Sequence, residues 1–171
     1  VTKGIEHDVI TYNTLIQGLC KVGRLAEAIG MYQRLLSSGL EPSVQTFTPL
    51  IDTLCKEGQV DHAVELLTLM QAKGLEPLER SNDSVINGFC KVRRADDGMA
   101  WLASMLKNNL KPQEQTFNSL LESLRKSERM DDALLILNTM LKAGYELGSL
   151  ASAILVDKLC TGNVSYPQKL E

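Results

Sequence analysis

The chain has 171 residues, 44% of them hydrophobic and 23% charged, with a formal net charge of −3 at pH 7. That length suits one ordinary domain with a core of its own, and the mild acidity excludes a uniformly basic surface. No apolar stretch approaches the ~18 residues of a membrane span, and neither the four cysteines nor His7 and His62 form a CxxC or HxxxH cluster that would hold zinc.

In chain order, the first eight residues, VTKGIEHD, read as the tail of an earlier repeat, because Gly4 and Asp8 take the slots of Gly39 and Ser43. From Val9 the sequence repeats with a 35-residue period in four units, 9–43, 44–78, 79–113 and 114–148. Their openings are VITYNTLIQGLCK, VQTFTPLIDTLCK, ERSNDSVINGFCK and EQTFNSLLESLRK. Cys20, Cys55, Cys90 and Cys160 fall on this ruler, and Arg125 fills the mark they skip. A period of this size marks stacked supersecondary units, so the cysteine column reads as packing and reduced thiols.

Each unit carries two amphipathic helical patterns. In the first, Tyr12, Leu15, Ile16 and Leu19 recur at helical spacing, and then Leu25, Ala28, Ile29, Tyr32, Leu35 and Leu36 do so again. Gly23 and Gly58 separate the helices. Gly39, Gly74, Asn109 and Gly144 end the second helix, and Pro42, Pro77 and Pro112 block its continuation. Thr11, Thr46 and Thr116 are expected to cap helix N-termini, and Met70, Met105 and Met140 fall at core spacing. The third unit, with Ser81, Asn82 and Gly98, is expected to pack least well. Residues 149–171 read as a partial repeat: a covering helix with Leu150, Ile154, Leu155 and Leu159, then a loose tail over 161–171. Strand signals are weak. The expected fold is all-α, a right-handed α-solenoid of tandem helix–turn–helix 35-residue repeats.

The segment TYNTLIQGLCKVGRLAEA resembles the plant consensus of the pentatricopeptide repeat, and the resemblance covers residues 9–148. The even spacing is similar to the pure-repeat class, and the wording to its fertility-restorer-like members. The tetratricopeptide pattern W-x2-L-G-x2-Y is missing.

The resemblance implies binding of single-stranded RNA in the mitochondrion, or alternatively the chloroplast, one nucleotide per repeat. It implies a steric role in RNA processing, stability or translation, with no enzymatic activity, cofactor, membrane or small-molecule substrate. It assigns base-edge contacts to the pairs Asn13 and Ser43, Thr48 and Leu78, Asp83 and Gln113, and Asn118 and Gly148. Asn13 with Ser43 suggests a pyrimidine, cytosine first; Thr48 leans toward a purine and Asn118 toward a pyrimidine. Leu78 and Gly148 offer a base no side-chain hydrogen bond. Stacking on base faces falls to Ile10, Gln45, Arg80 and Gln115, of which only Ile10 has the usual apolar character and Arg80 offers a guanidinium plane.

The RNA backbone is assigned to Lys21, Lys56, Lys91 and Lys126, with a salt slope of about −0.7 per phosphate. The competing account of these lysines is a cation favouring a helix C-terminus. The second functional reading is a protein-binding scaffold, or a structural part of an organellar ribonucleoprotein such as the mitochondrial ribosome.

Overall fold

Terminators repeat along this chain as regularly as apolar positions do, and the helices obey both. The computed structural model describes the backbone of residues 2–162 and the side chains of residues 8–161. Among them are nine helices and no strand: α1 (Thr2–Lys21), α2 (Leu25–Ser37), α3 (Val44–Lys56), α4 (Val60–Ala72), α5 (Glu79–Lys91), α6 (Ala95–Lys107), α7 (Glu114–Lys126), α8 (Met130–Lys142) and α9 (Ser149–Gly162). They form two compact units, Val1–Pro112 and Gln113–Glu171. In the first, α1, α3 and α5 lie side by side, paired as hairpins with α2, α4 and α6, while α2 also touches α3 and α4 touches α5. In the second, α7 and α8 pair and α9 packs on both. The fold is the expected all-α repeat solenoid.

Gly39, Gly74 and Gly144 adopt φ of +71°, +74° and +83°, and Asn109 takes the same left-handed form at +57°. This is the conformation that closes a helix and turns the chain back. Arg93 and Glu128, in the slot of Gly23 and Gly58, also sit at positive φ, +61° and +57°. The hairpin geometry imposes that turn even on residues with a Cβ.

Three expectations about helix ends are corrected. The cap of α3 is Ser43, not Thr46, and the cap of α7 is Gln113, not Thr116. Thr46 instead stands in the first turn, where its Oγ1 accepts the Ser43 backbone N–H at 2.9 Å, so the pair caps reciprocally. Thr11 lies well inside α1, which runs unbroken from Thr2 through the supposed boundary at Asp8. The reason is in the slot of Pro42: there the segment before the first repeat has His7, which can continue a helix where proline cannot. Residues 161 and 162, expected to open a loose tail, are helical, since α9 runs to Gly162; the rest of that expectation, residues 163–171, lies outside the described residues.

The core runs between the helix pairs. Phe47, Leu50, Ile51, Leu67 and Met70 are buried in the first unit, and Phe117, Leu121, Leu137 and Met140 in the second. Met105 is buried as well. In the third repeat, α5 and α6 keep the 13-residue length of their counterparts. Of its departures, buried Asn82 accepts the Trp101 Nε1–H at 3.1 Å and Trp101 packs on Phe89, whereas the buried Ser81 hydroxyl finds no hydrogen-bond partner. Arg94 ties this repeat to the one before, bonding Asp61 at 2.6 Å and Asp97 at 2.7 Å while lying over the Phe89 ring.

Burial pushes the Cys55 and Cys90 thiols up to about 12 and raises that of Cys20, so all three stay protonated at neutral pH. Cys160 breaks the column by standing exposed on α9. Small residues set how closely the inner helices approach. A Cβ added at Gly88 would meet the Cys55 Cβ at 3.2 Å and the Val60 Cγ2 at 3.3 Å, whereas one at Gly18 would meet nothing within 4 Å. Gly88→Val is therefore expected to destabilise by about 1–3 kcal/mol through overpacking. Gly18→Ala should stabilise by up to about 1 kcal/mol through helix propensity. Urea melts of the two variants should move in opposite directions, and equal shifts would refute this account of α3–α5 packing.

Candidate nucleic-acid interface

Because α1, α3 and α5 lie alongside one another with matching ends together, equivalent positions of successive repeats become neighbours. Seven predicted contact residues from the first three repeats accordingly line one open groove of about 890 Å³: Ile10, Asn13, Ser43, Gln45, Thr48, Leu78 and Arg80.

The polar centre of this groove is a chain of hydrogen bonds. The Ser43 N–H occupies the Thr46 Oγ1 as donor, which leaves the threonine hydrogen for the Asn13 Oδ1 at 2.6 Å. The Asn13 Nδ2 in turn donates to the Ser43 Oγ at 3.1 Å. Helix capping thus fixes which way the Asn13 amide points. One of its two N–H groups is committed to Ser43 and the other is left over. Sequence reasoning paired Asn13 with Ser43 but missed Thr46; the S-x-x-T spacing at the start of α3 was the available signal.

The next station is less polar. The Thr48 Oγ1 donates to the Val44 carbonyl at 2.9 Å, one helical turn back, and Thr48 is only 2% exposed. Leu78 is exposed, and Arg80 reaches toward Asp52 at 3.9 Å. Asp52 also accepts the Ser84 hydroxyl at 2.8 Å. Burial raises the Asp52 pKa, with the Ser84 hydrogen bond and Arg80 pulling it down. Pro49, inside α3 and on the groove wall, supplies no N–H to the Gln45 carbonyl. Asp83 is 3% exposed, so its carboxylate is enclosed by protein.

Lys21, Lys56 and Lys91 end α1, α3 and α5, all exposed. Each stands eight residues past the Asn13, Thr48 or Asp83 of its own helix, roughly 12 Å along the axis. Their edge is thus separate from the groove and parallel to it. Lys91 has a structural task as well, because its ammonium donates to the Lys56 carbonyl at the end of α3. In the second unit, Asn118 is half-buried on α7, and Gln113 and Gln115 are exposed. Gly148 is half-buried just before α9, and Lys126 lies 3.4 Å from Glu122. Among the described residues, no group of three His, Cys, Asp or Glu side chains is placed to hold a metal ion. None of their helices is long and apolar enough to cross a membrane.

Three family profiles match in succession: the PPR repeat family over residues 7–56, the pentatricopeptide repeat-containing protein family over 34–87, and the PPR repeat over 83–110 and 115–145. The chain belongs to the pentatricopeptide repeat family. Its repeats are similar in structure to the maize pentatricopeptide repeat protein PPR10, with 26% identity, a TM-score of 0.69, and coverage of 88% of this chain but 20% of that one. PPR10 in complex with an 18-nt psaJ RNA element gives a TM-score of 0.72 at 23% identity, covering 91% of this chain and 24% of PPR10. The PPR domain of Arabidopsis thaliana protein-only RNase P 1, in complex with tRNA, gives 0.73 at 19% identity, with 87% and 79% covered. This pentatricopeptide repeat chain therefore spans about a fifth to a quarter of PPR10. None of the curated proteins matches it significantly.

Proposed function

We propose that this pentatricopeptide repeat chain binds single-stranded RNA, with bases entering the groove over α1, α3 and α5 and the backbone following the edge of Lys21, Lys56 and Lys91. Its action is steric, covering a short stretch of an organellar transcript in the mitochondrion or chloroplast. The observation that carries this reading is the Asn13–Ser43–Thr46 network, which holds an amide in a fixed orientation on an open groove wall. Structures of PPR10 and of the RNase P 1 domain with RNA support it.

The remaining Asn13 N–H suits an acceptor on a base edge, and a pyrimidine such as cytosine offers one in N3. Base reading is concentrated at this station, because Thr48 has committed its hydroxyl hydrogen and Asp83 is enclosed. A neutral hydrogen bond of about 1 kcal/mol corresponds to roughly fivefold discrimination.

The test is selection from a randomised single-stranded RNA pool. The unmodified chain should enrich a pyrimidine at one position, and Asn13→Ala should erase that enrichment while leaving sequence-independent binding. Enrichment that survives Asn13→Ala would move base reading elsewhere. Absence of RNA binding at low salt would favour the protein-scaffold reading instead.

A further inference from the structure

The residue that aims Asn13 belongs to the next repeat. Thr46 is fully buried in the first turn of α3, yet its hydroxyl makes its shortest bond across to α1, at 2.6 Å from the Asn13 Oδ1. That length is typical of an O–H donor, and the 3.1 Å from the Asn13 Nδ2 to the Ser43 Oγ is typical of an N–H donor. Both distances therefore agree on one orientation of the amide. The opposite orientation would set an N–H against a threonine oxygen that already accepts the Ser43 N–H at 2.9 Å. It would also leave the threonine hydrogen only the Ser43 Oγ, 3.4 Å away. Capping accounts for the Thr46 oxygen but not for its hydrogen.

The third repeat shows the same register with no amide to aim. Ser81 takes the place of Thr46 and is fully buried, and its hydroxyl finds no hydrogen-bond partner. Leu78 stands where Ser43 does, and the Thr48 hydroxyl, in the place of Asn13, turns back to Val44. Of these two slots, the hydroxyl is satisfied in the one where the preceding repeat presents an amide.

We infer that Thr46 is a positioning residue that sets the base preference of the Asn13 station: its hydroxyl holds the amide as a donor and so favours cytosine over uracil. The inference rests on the base reading proposed above, and it extends the reading unit past one repeat into the first turn of the next helix. With Oδ1 held by Thr46 and one N–H by Ser43, Asn13 turns a donor to the groove. On their Watson–Crick edges the two pyrimidines differ at N3, an acceptor in cytosine and an N–H in uracil. Without the Thr46 hydroxyl the amide is free to turn over and accept the Ser43 hydroxyl hydrogen. An acceptor then faces the base, and uracil matches it.

Selection from a randomised single-stranded RNA pool tests this, scored as the ratio of cytosine to uracil at the enriched position. The parent should favour cytosine by roughly fivefold, the worth of one neutral hydrogen bond. Thr46→Val and Thr46→Ala both delete the hydroxyl and should abolish or invert that preference while binding to the pool at low salt persists. Thr46→Ser keeps the hydroxyl and should keep the preference. Ser81→Ala, in the same register but with no amide to aim, should keep it too. Helical circular dichroism checks that each variant folds. The inference is overturned if both hydroxyl deletions retain the parent's ratio, or if Thr46→Ser loses it as they do. Loss of the preference in Ser81→Ala would make it a general effect of helix starts, and would overturn the inference as well. A parent that enriches uracil over cytosine would overturn the inference alone, whereas a parent that enriches no pyrimidine would overturn base reading at Asn13 together with it.

Discussion

Phe47→Ala should lower stability by about 3–5 kcal/mol, the largest effect of any single truncation in the first unit. Phe47 is fully buried on α3, and its ring meets Tyr32 of α2 at 5.9 Å, which places it at the contact between the first hairpin and the second. An alanine there removes the transfer energy of an aromatic ring. It also leaves a void that two helices already pinned by Leu50, Ile51 and Leu67 are poorly placed to close. Against a typical total of about 5–15 kcal/mol, such a loss brings the unit near its unfolding threshold. Tyr32→Phe is the matched control. The Tyr32 hydroxyl is buried with no hydrogen-bond partner, so deleting it should change stability by less than about 0.5 kcal/mol or raise it. Urea unfolding followed by circular dichroism measures both. A Phe47→Ala loss below about 1 kcal/mol would mean that the stack is held elsewhere.

The helices and their order were readable because one period governs apolar positions, left-handed turns and prolines together. The errors fell where a single residue overrides the period. His7 in a proline slot lets α1 run on through Asp8, and a threonine one turn inside α3 was mistaken for the cap that Ser43 supplies. Cys160 shows a different limit. A column can predict the register a residue holds, but not whether it is buried there. Arg93 and Glu128 in left-handed turns show the reverse, with tertiary geometry overriding residue preference.

At the candidate interface the sequence could say which residues share a register, and the shared groove of Ile10, Asn13, Ser43, Gln45, Thr48, Leu78 and Arg80 agrees with that. It could not say how each side chain's hydrogen-bonding capacity is used. The Thr48 hydroxyl turns back to its own helix, Asp83 is enclosed, and Arg80 reaches across to Asp52 of the preceding repeat. These outcomes depend on neighbours one turn or one repeat away, which a register alone does not rank. Thr46 matters for the same reason: its place in the network comes from capping chemistry rather than from any base-reading position.

Replacing Lys21, Lys56 and Lys91 together by alanine should flatten the salt dependence of RNA binding by about 2 in log–log slope, at −0.7 for each single-strand phosphate. Between 50 and 200 mM salt, that slope corresponds to a roughly twentyfold change in affinity that the parent shows and the variant lacks. The single variants should separate two roles that coincide at this edge. The Lys91 ammonium reaches the Lys56 carbonyl, where a cation favours the C-terminus of α3 by about 0.3–1 kcal/mol. A lysine has three N–H donors, so two remain for a phosphate. Lys91→Ala should therefore lose both stability and salt slope, whereas Lys21→Ala should lose slope alone. Fluorescence anisotropy across a salt series gives the slope and urea melts give the stability. A triple variant that binds RNA with the parent's slope would reduce the whole lysine column to helix termini, and would leave the groove without a backbone track beside it.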